Sequence, residues 1–370
     1  MPKRIKLLHT EWSDGWGGQE IRILEESKAF IEKGYQVIIA ARPNSILYSK
    51  SIEADIPCVP VKMNKGINIY SIIKFINIIR QFQIQVVHTH SSVDSRLAGI
   101  AASICGVKVV RSRHISVPVS KNYLTRWQYM NLADRIITSG SEIRKEMINK
   151  NHMNPRQIIS APAGVNTKQF NLDRALVDIR PKYNINKDFF LIGIVSVLRS
   201  WKGHKYLIEA IKKLKNKIPE IRLMIVGAGP QYEIIKKHIE QLKLEDYVFL
   251  TGHHADPAPF FKAMDVMVLP SYSGEATSQV LPQAMLMKKP VISTNIGGLS
   301  EVIINNETGL VVAPKDSIAI ANAIEDLYGD EKLRNRLAKN GQEHALTYFT
   351  FENMIDVTQS VYQSLIDESS

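Results

Sequence analysis

A chain of 370 residues is too long for one ordinary domain, so two are expected. Its composition, 45% hydrophobic and 22% charged, is that of a globular protein, and it has no apolar run long enough for a transmembrane helix. The net charge of +11 is uneven: residues 1–168 hold 24 Lys and Arg against 12 Asp and Glu, and the rest of the chain 23 against 24. A basic half fits an anionic partner such as a membrane surface or a lipid-linked phosphate; a merely solvated basic surface is the plain alternative. Nucleic acid is not expected, because the chain shows no zinc finger, RNA-recognition signature or basic-aromatic repeat. The start, MPKRIKLLHTEW, reads as a first strand rather than a signal peptide. Cys58 and Cys105 lack metal-like spacing and are expected reduced and buried, as in a cytoplasmic protein.

In chain order, short apolar runs alternate with helical patterns. IKLLHT (5–10) reads as a strand, followed by a Gly-rich turn and a helix from about 19 to 33. Strands are expected at 35–41, 56–61, 84–90, 107–114, 134–140 and 157–164, with helices near 69–82, 93–105 and 122–133. Residues 165–188 break the pattern and read as a linker. A second alternation places strands at 189–198, 222–229, 247–252, 265–271, 290–294 and 309–314. Its helices fall near 203–217, 231–243, 257–263, 278–287 and 316–328. Strand–helix alternation implies parallel sheets covered on both faces. The fold expected is α/β, two facing Rossmann-like doubly wound domains with a cleft between them. The boundaries are 1–168 and 169–345, and a last helix (346–370) crosses back to the first domain.

The stretch from Pro270 to Glu301 carries the most chemistry. Glu275 lies in a loop that enters a helix across Ala276, Thr277, Ser278 and Gln279, and Gln283 follows on that helix. Free N–H groups at a helix start favour an anion. An acid for sugar hydroxyls, N–H donors for a phosphate and an amide for a ribose together suit a sugar nucleotide. Gly17 and Gly18, between a strand and a helix, let backbone approach a phosphate or sugar, or simply make a turn. His90 closes a strand; His88 lies two residues before it on the same face, yet no third ligand and no D-x-D is visible, so no metal is expected. Arg199 and Lys202 follow the first strand of the second half, and such a pair can neutralise a departing diphosphate. Gly227 sits in a GAGP turn, and His253 follows a strand where backbone can frame a base. The helix 69–82 is amphipathic and either packs on its sheet or lies on a membrane. The basic, aromatic segment 113–129 is an acceptor candidate.

Taken in order, GGQE (17–20), HTH (88–90), GVNTKQF (164–170), VLRSWKGH (197–204), VGAGP (226–230), the Glu275/Gln283 pair and GGLSE (297–301) resemble a GT-B glycosyltransferase of the retaining family 4 type. The resemblance covers nearly the whole chain. It implies a metal-independent hexosyltransferase that uses a UDP- or GDP-sugar as co-substrate and no further cofactor. The acceptor it implies is a glycan or lipid-linked saccharide, handled at the inner face of the cell membrane in cell-envelope or lipopolysaccharide synthesis. It gives His90, Arg199, Lys202 and Glu275 catalytic roles, and places Gly17, Gly18, Gly227, His253, Thr277, Ser278, Gln279 and Gln283 around the donor. Two positions depart from the family pattern. The slot five residues before Lys202, usually Arg, is Val197; Arg199 lies two along, on the same face if the strand continues. The second glutamate of the pair is Gln283. Two other readings share the architecture: a sugar-nucleotide 2-epimerase and a catalytically silent partner protein.

Overall fold

The computed structural model describes residues 5–114, 119–120, 122–275 and 278–368. The chain divides into two compact units, Met1–Pro162 with Met354–Ser370, and Ala163–Asn353.

The first unit is a parallel seven-stranded sheet. Its strands are β1 (Lys6–Glu11), β2 (Gln36–Ala41), β3 (Cys58–Pro60), β4 (Val86–Thr89), β5 (Lys108–Arg113), β6 (Arg135–Thr138) and β7 (Ile158–Ser160), in the order β3-β2-β1-β4-β5-β6-β7. The crossovers carry α1 (Gly18–Glu32), α2 (Ile46–Glu53), α3 (Ile69–Phe82), α4 (Ser92–Cys105), α5 (Tyr123–Asn131) and α6 (Ser141–Asn151). The order reverses between β1 and β4, and ligands of such sheets bind beyond the strand ends at that switch. Leu7, Leu8, Val86 and Val87 are fully buried, as expected of strands covered on both faces. α3 buries Ile72, Phe75, Ile78 and Ile79 against this sheet, so it is a packed crossover; its first turns leave Ile69, Tyr70 and Ile73 exposed.

The second unit repeats the order in six parallel strands. They are β8 (Phe190–Val195), β9 (Ile221–Val226), β10 (Val248–Gly252), β11 (Val266–Leu269), β12 (Val291–Thr294) and β13 (Leu310–Val312), arranged β10-β9-β8-β11-β12-β13. Around them lie α7 (His204–Leu214), α8 (Tyr232–Gln241), α9 (Ala258–Ala263), α10 (Val280–Leu286), α11 (Leu299–Val302), α12 (Ser317–Gly329) and α13 (Glu331–Tyr348). The chain closes with α14 (Phe351–Asp367), whose residues from Met354 onward belong to the first unit. There Tyr362 is fully buried against Phe30, with ring centroids 5.1 Å apart.

Several sequence expectations change. Residues 165–188 are not a loose linker. Val165, Phe170, Ile179 and Ile185 join the second core, and Arg180 donates to Ala263 O and to Asp265. The expected terminal helix is two, broken between Tyr348 and Phe351. Cys58 and Cys105 are half-buried rather than buried, and the Cys58 thiol is pushed up to about 11 by its partial burial.

Candidate functional site

In the first unit the carboxyl ends of β1, β4 and β5 meet. β1 pairs with β4 in the register His9 to His88, and β4 with β5 in the register His88 to Val110. His9 Nδ1 lies 2.9 Å from His90 Nε2, and His90 Nδ1 lies 3.0 Å from His114 Nε2, so three imidazoles form a chain. His88 is tied separately, Nδ1 to the Tyr362 hydroxyl at 2.6 Å and Nε2 to Ser112 Oγ at 2.8 Å. All four rings are held neutral. Burial pulls the His9 pKa down to about 3, the Arg22 charge adds to this, and the other three shift the same way for the same first reason. Sequence reasoning named His90 and missed His9 and His114. Their signal was present, a histidine closing each apolar run, but it becomes a cluster only once the strand order is known.

His90 is buried, with both ring nitrogens engaged by other histidines. A third metal-ligand candidate does exist, contrary to the sequence reading: His9, His88 and His90 each offer a nitrogen, all within 4.8 Å of one another. The arrangement nonetheless suits a hydrogen-bonded chain better than a cation. Both His88 nitrogens are occupied, and the buried Arg22 guanidinium acts on every ring. His9 Nε2, Arg22 Nη2 and Glu26 Oε2 are buried without protein partners, a polar set suited to internal water.

Beside the histidines, two carboxyls fix the switch-point loops. Glu11 accepts from Ser91 Oγ at 2.7 Å, from Ser13 N at 2.8 Å and from Gln19. Asp94 caps α4, accepting from His90 N and Ser91 N, both at 2.9 Å, and from Thr10 Oγ1 at 2.8 Å. Burial and the nearby Glu11 charge raise Asp94 to about 8. Gly17 opens α1, but its N–H donates to Glu20 at 2.8 Å and is not free for a ligand. A Cβ on Gly18 would meet open space, so the fold itself does not require glycine there.

In the second unit Glu275 is the hub. Its Oε1 accepts from Lys202 Nζ and from Ser271 Oγ, each at 2.6 Å, and the residue is only 7% exposed. Its backbone oxygen accepts from Gly298 N at 3.2 Å, which ties the GGLSE turn to the acid. Glu275 Oε2 has no hydrogen bond among the described residues. Lys202 reaches this point because Gly203 starts α7 with φ +77°, and a Cβ there would sit 2.0 Å from Pro270 O. Glycine is therefore required at that corner.

A cavity of about 350 Å³ lies over the ends of β8 and β9, lined by Phe170, Val197, Gly227, His253, Val280 and Gln283. Gly227, at φ +145°, lets β9 turn within contact of Ser196 O. The Gln283 side chain makes no hydrogen bond among the described residues and faces this space. Gln279 does not: its amide donates to Gly164 O at 2.9 Å. α10 begins only at Val280, so Ser278, which is buried, and Gln279 precede it; Thr277 lies outside the described residues. Arg199 also departs from expectation. β8 stops at Val195, and the Arg199 N–H donates to Val197 O at 2.8 Å, a tight turn. Strand alternation no longer applies there, and Arg199 lines a different cavity, between α7 and α8, with its guanidinium 5.0 Å from the Trp201 ring.

Residues 16–169 match the family model for Glycosyltransferase Family 4, and residues 177–344 the model for Glycosyl transferases group 1. The chain is 28% identical to a Staphylococcus aureus capsular polysaccharide biosynthesis glycosyltransferase, CapM, over 67% of this chain and 66% of that one. It is 26% identical to an Escherichia coli UDP-Gal:alpha-D-GlcNAc-diphosphoundecaprenol alpha-1,3-galactosyltransferase, over 80% and 79%. Among solved structures, a glycosyltransferase from Rickettsia africae superposes with TM-score 0.88 at 22% identity, over 98% of this chain and 99% of that one. Anabaena HepE in complex with UDP superposes with TM-score 0.82 at 20% identity, over 98% and 100%. These likenesses show the fold, and the two family models together with the relatives show the lineage: the chain belongs to the group 1, family 4 type glycosyltransferases, with the GT-B fold.

Proposed function

We propose that this glycosyltransferase moves a hexose-type sugar, with retention and without a metal, from a nucleotide-diphosphate donor to a lipid-linked or polysaccharide acceptor in cell-envelope glycan synthesis. The observation that carries the reading is Glu275: one carboxylate oxygen is fixed by Lys202 and Ser271, and the other has no partner among the described residues. In this reading Oε2 takes a hydroxyl of the donor sugar. Lys202 lies between that acid and the leaving phosphate and supplies positive charge where negative charge develops. Gln283 takes the ribose from the wall of the 350 Å³ cavity, with Gly227 and His253 near the base. Ser278 stays a candidate for the phosphate. The UDP in HepE and the UDP-Gal in the name of the Escherichia coli relative favour uridine as the base. The capsular and diphosphoundecaprenol names of the relatives favour an envelope acceptor. His90 stays a candidate for the sugar, with both of its ring nitrogens engaged by His9 and His114.

No described helix is long and apolar enough to cross a membrane. Peripheral association at the inner face is instead supported by the charge of the first half and by Ile67, Ile69 and Tyr70, each about 70% exposed beside Lys65 and Lys74. A thermal-shift panel of UDP- and GDP-sugars tests the donor. A true donor at about 100 times its Kd stabilises by about 2.7 kcal/mol. NMR of the product then reads the anomeric configuration, in EDTA and with an acceptor glycan. An inverted product, or activity lost in EDTA and restored by a divalent ion, overturns the mechanism. A changed sugar nucleotide without acceptor identifies an epimerase, and binding without turnover identifies a silent partner.

A further inference from the structure

A second cavity, of about 650 Å³, opens between α7 and α8 in the second unit. That volume lies within the ordinary range of small-molecule sites, about 300–1,000 Å³. It shares no lining residue with the cavity that holds Gln283. Three loops frame its mouth, and backbone hydrogen bonds lock them together. Leu198 N donates to Ala228 O and Gln231 N to Leu198 O, both at 3.0 Å, and Tyr272 N donates to Trp201 O at 2.9 Å. The cavity is therefore built into the fold rather than left by a loose loop.

Its lining has three kinds of surface. Ile208 and Ile235 are buried at its apolar wall, and Ile234, 59% exposed, forms the rim. Tyr206 and Tyr272 meet edge to face, with centroids 6.1 Å apart, and present a ring and two hydroxyls. Gln231, Gln241 and Ser200 add donors and acceptors. Arg199, Lys205 and Lys237 bring three cations against one carboxylate, Glu209, which lies 3.9 Å from Lys205 Nζ. Among the described residues Arg199 has its contact with the Trp201 ring but no acid partner, and Lys237 has none either. Aromatic and aliphatic surface for a sugar ring, amides and hydroxyls for its OH groups, and unpaired cations for a dianion converge on one ligand chemistry.

We propose that the α7–α8 cavity is an accessory site for a phosphorylated saccharide, separate from the donor site. It does not depend on the proposed reaction, since none of its argument uses Glu275, Lys202 or Gln283.

The test is isothermal titration of the full chain at low ionic strength with glucose 6-phosphate, glucose 1-phosphate, glucose and inorganic phosphate, with and without saturating UDP. The expected result is saturable binding of at least one hexose phosphate, roughly tenfold or more tighter than glucose or phosphate alone, and unchanged by UDP. Preference for the 1-phosphate identifies a reducing-end phosphate, as on a glycan carrier; preference for the 6-phosphate identifies a free sugar phosphate. Lys237→Glu and Ile234→Trp change exposed residues, and each is expected to weaken this binding at least tenfold while thermal stability and the UDP-induced shift stay as in the parent chain. Equal affinity for phosphate and hexose phosphate overturns the proposal, as does displacement by UDP, binding that survives both variants, or no measurable hexose phosphate binding at all.

Discussion

Removing the Ser271 hydroxyl tests whether Glu275 works by being held still. Ser271 Oγ donates to the same oxygen as Lys202 Nζ, so Ser271→Ala leaves the ion pair in place and takes away one of two anchors. A hydrogen bond to a charged group contributes about 1.5–3 kcal/mol, and Lys202 retains part of the restraint, so the lower end applies. Turnover is expected to fall roughly tenfold, at about 1.4 kcal/mol per decade. Because UDP alone lacks the sugar that Glu275 is proposed to hold, its affinity is expected to stay within about twofold. Lys202→Met differs on both counts: it weakens UDP binding, and it leaves a nearly buried carboxylate unpaired, which lowers stability by about 3 kcal/mol. The assay is UDP release from the donor that stabilises the chain most, with UDP affinity measured by titration. The two substitutions act on one oxygen, so their effects on turnover should not add. Turnover of Ser271→Ala within twofold of the parent, or UDP affinity falling in step with turnover, refutes the reasoning.

The buried titratable groups set a pH profile with two limbs. Unfolded His9 binds a proton near 6.5 but folded His9 only near 3, so stability is whole above about 6.5 and falls as pH drops toward 3. The loss between pH 7 and 5 is about 2 kcal/mol for His9 alone, and His88, His90 and His114 add to it in the same direction. Urea unfolding at pH 7 and 5 reads the slope; a His9→Asn chain with an unchanged slope contradicts the assignment. Asp94 acts the other way: its folded pKa of about 8 means stability falls as pH rises from about 4 to 8, and Asp94→Asn should flatten the limb above 6.5. Ile69→Asp with Ile73→Asp should weaken binding to anionic vesicles, and raised salt should release the parent chain. Association that ignores both changes removes the membrane reading. In a cycle of Val197→Arg and Gln283→Glu, the glutamate should raise UDP affinity by at least threefold more when the arginine is present, about 0.6 kcal/mol of coupling; additive effects contradict it.

The parallel strands were legible because each is a short apolar run between turn residues, and the central ones are buried on both faces. Four helices were missed, the short α2 and α11 and the longer α6 and α13, and the longer two have thin packing faces. α6 buries only Ile143, Met147 and Asn151, and α13 packs through Leu337, Ala338, Gly341 and Ala345, mostly small residues that give little hydrophobic periodicity. Lys202 and Glu275 were named separately; that Lys202 donates to a Glu275 oxygen depends on loops joined by the Tyr272–Trp201 bond, 71 positions apart in sequence, which no local pattern encodes. The histidine chain was hidden for a related reason. His9 lies near the end of β1, and His90 and His114 directly follow β4 and β5; only the order β1-β4-β5 brings the three ends together.

The two departures from the family pattern looked independent in the sequence. Val197 stands where the pattern has an arginine, and Gln283 where it has a glutamate. Both line the same 350 Å³ cavity. The cavity has thus lost one positive and one negative charge relative to the pattern, and its net charge is unchanged. A lone glutamine would leave an arginine without its counter-charge; a lone valine would leave a carboxylate beside a diphosphate. Together they replace an ionic pair by a neutral one that still offers the Gln283 amide to the proposed ribose. In the proposed reading the remaining charge for the phosphates falls to Lys202, and Lys202 is held by Glu275, so the cation proposed for the leaving group and the acid proposed for the sugar are positioned by one contact.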